Sequence, residues 1–207
     1  MMLSYNRIAG QSVERLAALS DGIFAVSMTL LVLDLHLPIP SMVHSEHDLV
    51  HALSLMSPRI VMYLMSFLTL GIFWVGQQTQ LNFLEKSHRS LTWVHLLFLF
   101  AVTLIPFSTQ LLAGYPTLRV ALVVYWANIL LLGVALYLSW NCATHLGLLK
   151  ADMDPGVPLA IERRITIAQV LYAFGAFLCI FSIHLSIGFI FAVQLYYAIA
   201  PRFVRRM

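Results

Sequence analysis

The stretch RLAALSDGIFAVSMTLLVLDL, Arg15 to Leu35, places an arginine and a Ser-Asp pair at the start of an otherwise apolar run. A helix that spans a bilayer needs roughly 20 predominantly apolar residues, and this stretch meets that length. Charged groups within a span are costly, and they usually pair with other groups or face water. The stretch therefore raises two questions: whether the whole chain is built for a membrane, and what Arg15 and Asp21 do there.

The composition of the chain is that of a membrane protein. Of its 207 residues, 60% are hydrophobic and 10% are charged, and its mean hydropathy is +0.86. Charged residues make up about 25% of a typical soluble domain. Six segments are long and apolar enough to span, namely 16–37, 58–83, 91–113, 118–142, 163–184 and 186–203. We predict an all-α integral membrane protein in which residues 1–207 form one six-span domain, and we expect the first span to serve as an uncleaved insertion signal.

The basic residues predict the orientation. With a cytoplasmic N-terminus, ten of them lie inside, namely Arg7, Arg15, Lys86, Arg89, Lys150, Arg163, Arg164, Arg202, Arg205 and Arg206. Only Arg59 and Arg119 then lie outside, which is a clear positive-inside bias with both termini cytoplasmic. The net charge of +3 is thus explained by topology and anionic lipid, and it does not indicate a nucleic-acid partner. Cys142 and Cys179 fall in predicted spans, so a disulfide framework is not expected.

The first helix has two unlike faces. At about 100° per residue, one stripe is slim and carries a hydroxyl, and it comprises Gly22, Val26, Thr29, Leu30 and Leu33. The far side is bulkier and comprises Phe24, Met28, Leu31 and Leu35. Small and medium groups suit a helix that faces a narrow axial gap, but in membranes they also mark ordinary close helix packing. The periodicity leaves both interpretations open.

Asp21 lies roughly 140° around the helix from this stripe, so we expect it to point into the protein and to have a partner there. Arg15 is six residues away, which is awkward for a direct pair along one straight helix, and Ser20 can bridge to either group. One hypothesis is a structural clamp that holds the start of the helix, and the other is a path for ions or protons. The cost of an unpaired charge in a span favours the clamp.

Two further features predict local structure. Pro106 removes a backbone donor within the third span, so we expect a kink, and Ser108 and Thr109 can bond carbonyls that are freed. Ser45, followed three residues later by Asp48, resembles a capping box at the start of a short amphipathic helix at the outer interface.

With these residues in view, the opening stretch resembles a known family, the lysosomal and prokaryotic potassium channels called transmembrane protein 175. The family's hallmark is Arg, three residues, then Phe-Ser-Asp, and here Arg15 is followed by Leu19, Ser20 and Asp21, with leucine in place of phenylalanine. The resemblance continues through DGIFAVSMTLLVLDL, GIFW and LLFLFAVTLIPFSTQLLAGY, which ends at Tyr115. Spans four to six match mainly in hydropathy.

The resemblance implies a modestly potassium-selective cation channel without the carbonyl-lined filter of ordinary potassium channels. It implies that the first helix lines the pore and that a chain with one repeat, as in prokaryotic members, forms a homotetramer in the cell membrane. The implied narrow hydrophobic position is Val26, the hydroxyl layer is Thr29 and a further constriction is Leu33. Leu30 lies beside them and Ile23 flanks them. Potassium only passes through, and no cofactor or bound metal is implied.

The resemblance also implies a bonding network behind the pore, which comprises Arg15, Ser20, Asp21, Trp74 and Gln77. The family often has two histidines after the tryptophan of span two, where this chain has Gln77 and Gln78. Glutamine can hydrogen-bond but does not titrate near neutral pH. We therefore expect the bonding role to survive and any pH sensing through these positions to be absent.

Other functions remain as alternatives. A proton-permeable channel or a secondary transporter of small cations would also place polar groups in spans, although a transporter normally shows paired repeats. An intramembrane enzyme would need a nucleophile and a base, and no Gly-x-Ser-x-Gly, His-Glu-x-x-His or paired span aspartates occur. His47 and His51 have zinc-ligand spacing, but without a third well-spaced ligand a solvated helix face is favoured.

Overall fold

The structure is a computed structural model, which describes residues 12–36 and 43–199. Apart from one isolated bridge, all regular structure in these residues is helical. The helices are α1 (Val13–Val32), α2 (Glu46–Leu55), α3 (Ser57–Asn82), α4 (Arg89–Thr103), α5 (Ile105–Gly114), α6 (Arg119–His145), α7 (Val157–Phe177), a 3₁₀ turn (Leu178–Ile180) and α8 (Ile183–Ile199). The all-α class is confirmed in this part of the chain.

Five helical segments are long and apolar enough to cross a membrane. They are Val13–Val32, Ser57–Asn82, Arg89–Gly114, Arg119–His145 and Val157–Ile180. The sixth predicted span corresponds in the described residues to α8, a shorter apolar helix of 17 residues. The structure thus supports a multi-pass membrane protein with five clear spans and one shorter helix.

Several predicted boundaries differ from those of the helices, and local chemistry explains two of them. The first helix begins at Val13 and not at residue 16, because the side chain of Ser12 accepts the Arg15 amide and caps the helix. The fifth span begins at Val157 and not at 163, because Pro158 stands in the first turn, where its missing amide costs nothing.

The predicted break in the third span is present. Helix α4 ends at Thr103, Leu104 separates the two helices, and Pro106 lies in the first turn of α5. The hydroxyls of Ser108 and Thr109 both donate to the Ile105 carbonyl, at 3.1 and 2.7 Å. The expectation that they satisfy carbonyls freed by the proline is not met, because the carbonyl four residues before Pro106 is that of Val102, and both hydroxyls donate to Ile105 instead.

The two ends of the bundle differ in charge. The α3–α4 and α6–α7 loops meet at one end through Leu84 and Leu149, and the Lys150 amide donates to Phe83. These loops carry or adjoin most of the described basic residues, namely Lys86, Arg89, Lys150, Arg163 and Arg164. At the other end the Arg119 guanidinium donates to the Ile180 carbonyl. Arg7, Arg202, Arg205 and Arg206 lie outside the described residues.

The outer helix α2 forms as predicted. The Ser45 side chain accepts the Asp48 amide at 3.1 Å, and the Asp48 carboxylate accepts the His44 amide at 3.1 Å. Hydrogen bonds to its carboxylate, first from the Ser45 side chain and then from the His44 amide, lower the pKa of Asp48. Nothing on α2 is buried in the core. The described residues contain no group of three His, Cys, Asp or Glu side chains that could hold a metal ion.

Candidate functional site

Helix α1 packs on one face and is open on the other. Its buried residues are Leu16, Ser20, Phe24, Ser27 and Leu31. Phe24 stacks on Phe98 of α4 with ring centroids 6.0 Å apart, and Phe73 of α3 approaches the same ring at 6.4 Å. The bulky face identified by periodicity is thus the one that contacts the bundle.

The slim stripe lies on the open face. Val26 is 57% exposed, Leu30 45% and Leu33 69%, and Gly22 and Thr29 are exposed beside them. Ile23 is half-buried at the edge of the stripe, where it also packs on the core. A groove of about 390 Å³ runs along this face, and it is bounded on the far side by Thr103. A concave, uncharged and slender surface is therefore left uncovered within one subunit.

Thr29 presents an oxygen on this surface. Its hydroxyl donates to the Val26 carbonyl of its own helix at 2.8 Å. Because the proton is used within the helix, the lone pairs of the oxygen remain available on the open face.

Leu33 lies just past the end of the helix, where its amide donates to Leu30 at 3.2 Å. The next residue, Asp34, accepts a hydrogen bond from the Gln110 amide of α5 at 3.1 Å. The end of the stripe is thus hydrogen-bonded to the broken third span through Asp34, which is the next charged residue in the sequence after Asp21.

The opposite end of α1 is fixed by Ser20, which is completely buried. Its hydroxyl donates to the Leu16 carbonyl at 2.7 Å and accepts from Gln77 Nε2 at 3.1 Å. The Nε2 atom of His95 lies 2.7 Å from the same oxygen. Since the serine proton is already used, this bond assigns the proton to His95 Nε2. One hydroxyl therefore joins α1 to both α3 and α4.

Asp21 makes a second set of bonds to α3. Its Oδ1 atom accepts from Trp74 Nε1 and from Gln78 Nε2, each at 2.8 Å. The residue as a whole is exposed, although its carboxylate is held on the protein side. Hydrogen bonds to an ionised group are about twice as strong as neutral ones, so these two bonds strengthen the attachment of α1 to α3. We call the hydrogen-bonded side chains that attach this end of α1 the anchor, namely Ser20, Asp21, Trp74, Gln77, Gln78 and His95.

The structure does not bring Arg15 into this cluster. The side chain is exposed, and within the described residues it has no ion pair with Asp21. Six residues place the two side chains about 9 Å apart along the axis and roughly 120° apart around it. The other four predicted members of the network, namely Ser20, Asp21, Trp74 and Gln77, do come together.

Two members of the anchor were not predicted from the sequence. His95 is a lone polar residue of its span, a kind that usually bonds to a neighbouring helix, and Gln78 was noted only as a replaced histidine. The signal for His95 is a single polar side chain among apolar residues of α4, but the sequence does not say which helix it meets. Both bonds depend on how α3 and α4 cross α1.

A second polar network lies deeper in the bundle and was missed entirely. The Thr109 and Ser66 hydroxyl oxygens lie 2.6 Å apart, Ser66 donates to the Tyr125 hydroxyl at 3.3 Å, and Gln194 donates to Thr69 at 2.7 Å. These side chains belong to α3, α5, α6 and α8 and are all buried. They tie the outer helices together behind α1, where such bonds fix helix order.

Comparisons with known proteins agree with this arrangement. Residues 15–106 match the sequence profile of a family described as the endosomal/lysosomal potassium channel TMEM175. A potassium channel of Chamaesiphon minutus is 31% identical over 195 residues, covering 89% of this chain and 93% of that protein. A potassium channel of Streptomyces collinus is 32% identical and covers 78% and 77%.

A solved structure and a human protein extend the comparison. The crystal structure of a lysosomal potassium-selective channel TMEM175 homologue from Chamaesiphon minutus superposes with a TM-score of 0.78 at 29% identity, covering 91% of this chain and 97% of that one. The human endosomal/lysosomal proton channel TMEM175 is 35% identical over 104 residues, which is 48% of this chain and 21% of the human protein.

Proposed function

The chain belongs to the TMEM175 family of ion channels, and we propose that it is a modestly potassium-selective channel whose pore is lined by α1 of four identical subunits. The single observation that carries this proposal is the contrast along α1. Its charged start is bonded to α3 and α4, while the uncharged stripe beyond it is uncovered.

The stripe would supply both gate and selectivity. Rings of Val26, Leu30 and Leu33 around an axis form hydrophobic constrictions, and narrow hydrophobic constrictions gate by losing water. Thr29 provides oxygens between these rings, which favour a cation that has shed part of its hydration shell. Four hydroxyls replace a hydration shell less completely than stacked carbonyl rings do, so the selectivity for potassium over sodium is modest.

The anchor has a structural role in this mechanism. Ser20 and Asp21 fix the position of α1 against α3 and α4, and this position sets the distance of the stripe from the axis. Asp21 does not face the ion directly, because its carboxylate is directed to Trp74 and Gln78. Of the charges at the start of the opening stretch, Asp21 holds the pore helix and is not the filter.

Reconstitution in planar bilayers tests the proposal. The purified chain should pass current. With potassium on one side of the bilayer and sodium on the other, its reversal potential should shift from zero toward the potassium equilibrium potential. Val26→Asn and Leu33→Asn should raise the conductance, because a polar ring holds water where an apolar ring excludes it.

Val32→Asn is the matched control, because Val32 is an exposed valine of the same helix that lies off the stripe. Unchanged conductance in both stripe variants, or an equal rise in the Val32 control, contradicts the assignment of the gate. A flux that saturates without single-channel steps would indicate a secondary transporter.

A second candidate is a proton-permeable channel, which the name of the human relative favours. With potassium replaced by a large organic cation and a pH gradient as the only driving force, a proton-permeable pore shifts its reversal potential with pH. A reversal potential that follows potassium alone rejects this candidate.

A further inference from the structure

The chain has a second cavity, away from α1, that the channel mechanism does not use. It lies in a cleft between α3 and α7, with Leu136 of α6 as its floor and Tyr197 of α8 at its end, and its volume is about 60 Å³. Gly76 forms part of the α3 wall, where the absence of a side chain leaves the cleft open.

Two polar groups of this cavity lack hydrogen-bond partners. The Tyr172 hydroxyl and the Oε1 atom of Gln169 are buried and accept or donate no hydrogen bond within the described residues. Tyr172 is only 1% exposed, and both residues line the cavity. A buried polar atom without a partner costs about 1–3 kcal/mol. The cavity is therefore suited to a ligand that carries hydroxyl groups.

The charge at the cavity selects an anion. Arg164 is the only charged residue among those that line it, and no carboxylate does. Its guanidinium lies 5.8 Å from the centre of the Tyr197 ring and has no ion pair in the described part of the chain. An unpaired arginine at the mouth of an apolar cleft is a binding group for phosphate.

The order of these groups along α7 fits an amphiphile. Arg164, Ala168 and Tyr172 recur every four residues on one face, and Gln169 lies beside them. At 1.5 Å per residue, Gln169 is about 7 Å and Tyr172 about 12 Å deeper than Arg164. Arg164 belongs to the end of the bundle that is rich in basic residues, where anionic lipid is attracted.

We propose that this cleft binds an anionic phospholipid whose headgroup carries hydroxyls, of the phosphatidylglycerol type. The phosphate bonds to Arg164, the headgroup hydroxyls reach Gln169 and Tyr172, and the acyl chains remain in the surrounding bilayer. The site requires only that the chain is a membrane protein, so it goes beyond the proposed channel function and does not depend on it.

Native mass spectrometry of the full chain in detergent tests the site with three lipids: phosphatidylglycerol, phosphatidic acid and phosphatidylcholine. Phosphatidic acid keeps the phosphate but has no headgroup hydroxyl, and phosphatidylcholine has no net charge. The wild type should bind phosphatidylglycerol about tenfold more tightly than phosphatidylcholine, because the choline group has no hydroxyl for Gln169 and Tyr172 and its positive charge offsets the phosphate charge that faces Arg164. It should prefer phosphatidylglycerol to phosphatidic acid by about two- to tenfold for the hydroxyl contacts.

Three variants and one control separate the parts of the site. Arg164→Gln should reduce both anionic lipids to the level of phosphatidylcholine, while Arg163→Gln, an exposed neighbour that does not line the cavity, should leave binding unchanged. Tyr172→Phe keeps the ring and should reduce the preference for phosphatidylglycerol over phosphatidic acid. Gly76→Leu should block binding, and its Cβ has room, since the nearest atom would be Leu136 Cδ2 at 3.5 Å.

Several results would overturn the proposal. Equal binding of all three lipids would mean that the cavity does not select an anionic headgroup. Equal binding of the two anionic lipids would mean that the headgroup hydroxyls do not bond to Gln169 and Tyr172. An equal loss in the two arginine variants means that the lipid is attracted by general surface charge. A tetramer structure with a neighbouring subunit's side chain in the cleft would assign the cavity to an interface. Thermal stability of each variant without added lipid shows whether it is folded.

Discussion

Replacing Ser20 with alanine gives the sharpest test of the anchor. The substitution removes a hydroxyl that bonds to Leu16, Gln77 and His95 at 2.7, 3.1 and 2.7 Å, in a position with no exposed surface. Gln77 and His95 each lose a partner, and Gln77 already has an unpartnered Oε1 atom. Neither side chain can turn to water, because both are buried.

The expected loss follows from these contacts. In soluble proteins each buried group left without a partner costs about 1–3 kcal/mol, which gives about 2–6 kcal/mol for two. Hydrogen bonds between membrane helices are weaker, averaging about 0.6 and reaching about 1.7 kcal/mol in double-mutant cycles. Since two cross-helix bonds are lost in a tightly packed site, we expect Ser20→Ala to lower the free energy of unfolding by about 1–3 kcal/mol.

Unfolding by a denaturing detergent, followed by tryptophan fluorescence, measures this loss. Ser27→Ala is the matched control, because Ser27 is also buried on the same face of α1 but has no hydrogen bond to another helix in the described residues. We expect it to change the unfolding free energy by less than half as much. A loss in Ser20→Ala no greater than that of Ser27→Ala refutes the idea that hydrogen bonds hold this end of α1.

Two further predictions concern the packing of α8 and the outer loop. Gly175→Ala should destabilise the protein by about 1–3 kcal/mol in the same assay, because its Cβ would lie 2.8 Å from a side chain of α8. In the control Gly188→Ala the new Cβ meets nothing within 4 Å, so this variant should be neutral. Equal effects of the two substitutions would show that α7 and α8 can separate freely. The pKa of Asp48 is lowered, so its contribution to the stability of the start of α2 is complete above the ordinary aspartate pKa and is lost as the pH falls through the lowered value. Amide hydrogen exchange at residues 46–50 should therefore quicken only in strong acid. Faster exchange already near neutral pH would contradict the direction of this shift.

Much of this fold is predictable because hydropathy and proline positions dominate it. The spans, the break near Pro106 and the cap at Ser45 all follow from patterns that act over a few residues. The two faces of α1 follow for the same reason, since a period of 3.6 residues determines which side chains share a face. The starts of α1 and α7 were predicted late because a capping serine and a first-turn proline extend helices beyond their apolar segments.

The hydrogen-bond partners that residues find on other helices are harder to predict from the sequence. Ser20 and Asp21 could be recognised as polar groups that need partners, but the choice of His95 and Gln78 depends on crossing angles that no local pattern encodes. Closeness in sequence was misleading for Arg15, because six helical residues turn it away from Asp21. The network around Tyr125 was missed for a similar reason, since each member is a single hydroxyl or amide in an apolar helix.

The residues of the proposed gate lie at different distances from Ser20 along α1, so a small tilt of the helix at Ser20 moves them by different amounts. From Ser20 to Val26 is about 9 Å along α1, and from Ser20 to Leu33 is about 20 Å. A tilt of about 5° at the anchor would therefore move Val26 by less than 1 Å and Leu33 by nearly 2 Å. Because Ser20 and Asp21 bond to different partners on α3 and α4, a tilt in any direction strains at least one of these bonds.

This geometry predicts which property of the channel the anchor controls. Ser20→Ala should change the open probability, because the Leu33 ring shifts most, and it should leave the ratio of potassium to sodium permeability nearly unchanged, because Thr29 keeps its bond to Val26 within the helix. Thr29→Val should do the reverse, lowering the selectivity with little effect on opening. Single-channel recordings of both variants report the two quantities separately. A change of selectivity in Ser20→Ala with unaltered opening would mean that the anchor shapes the ion's binding position, and the division of α1 into an anchor and a gate would be wrong.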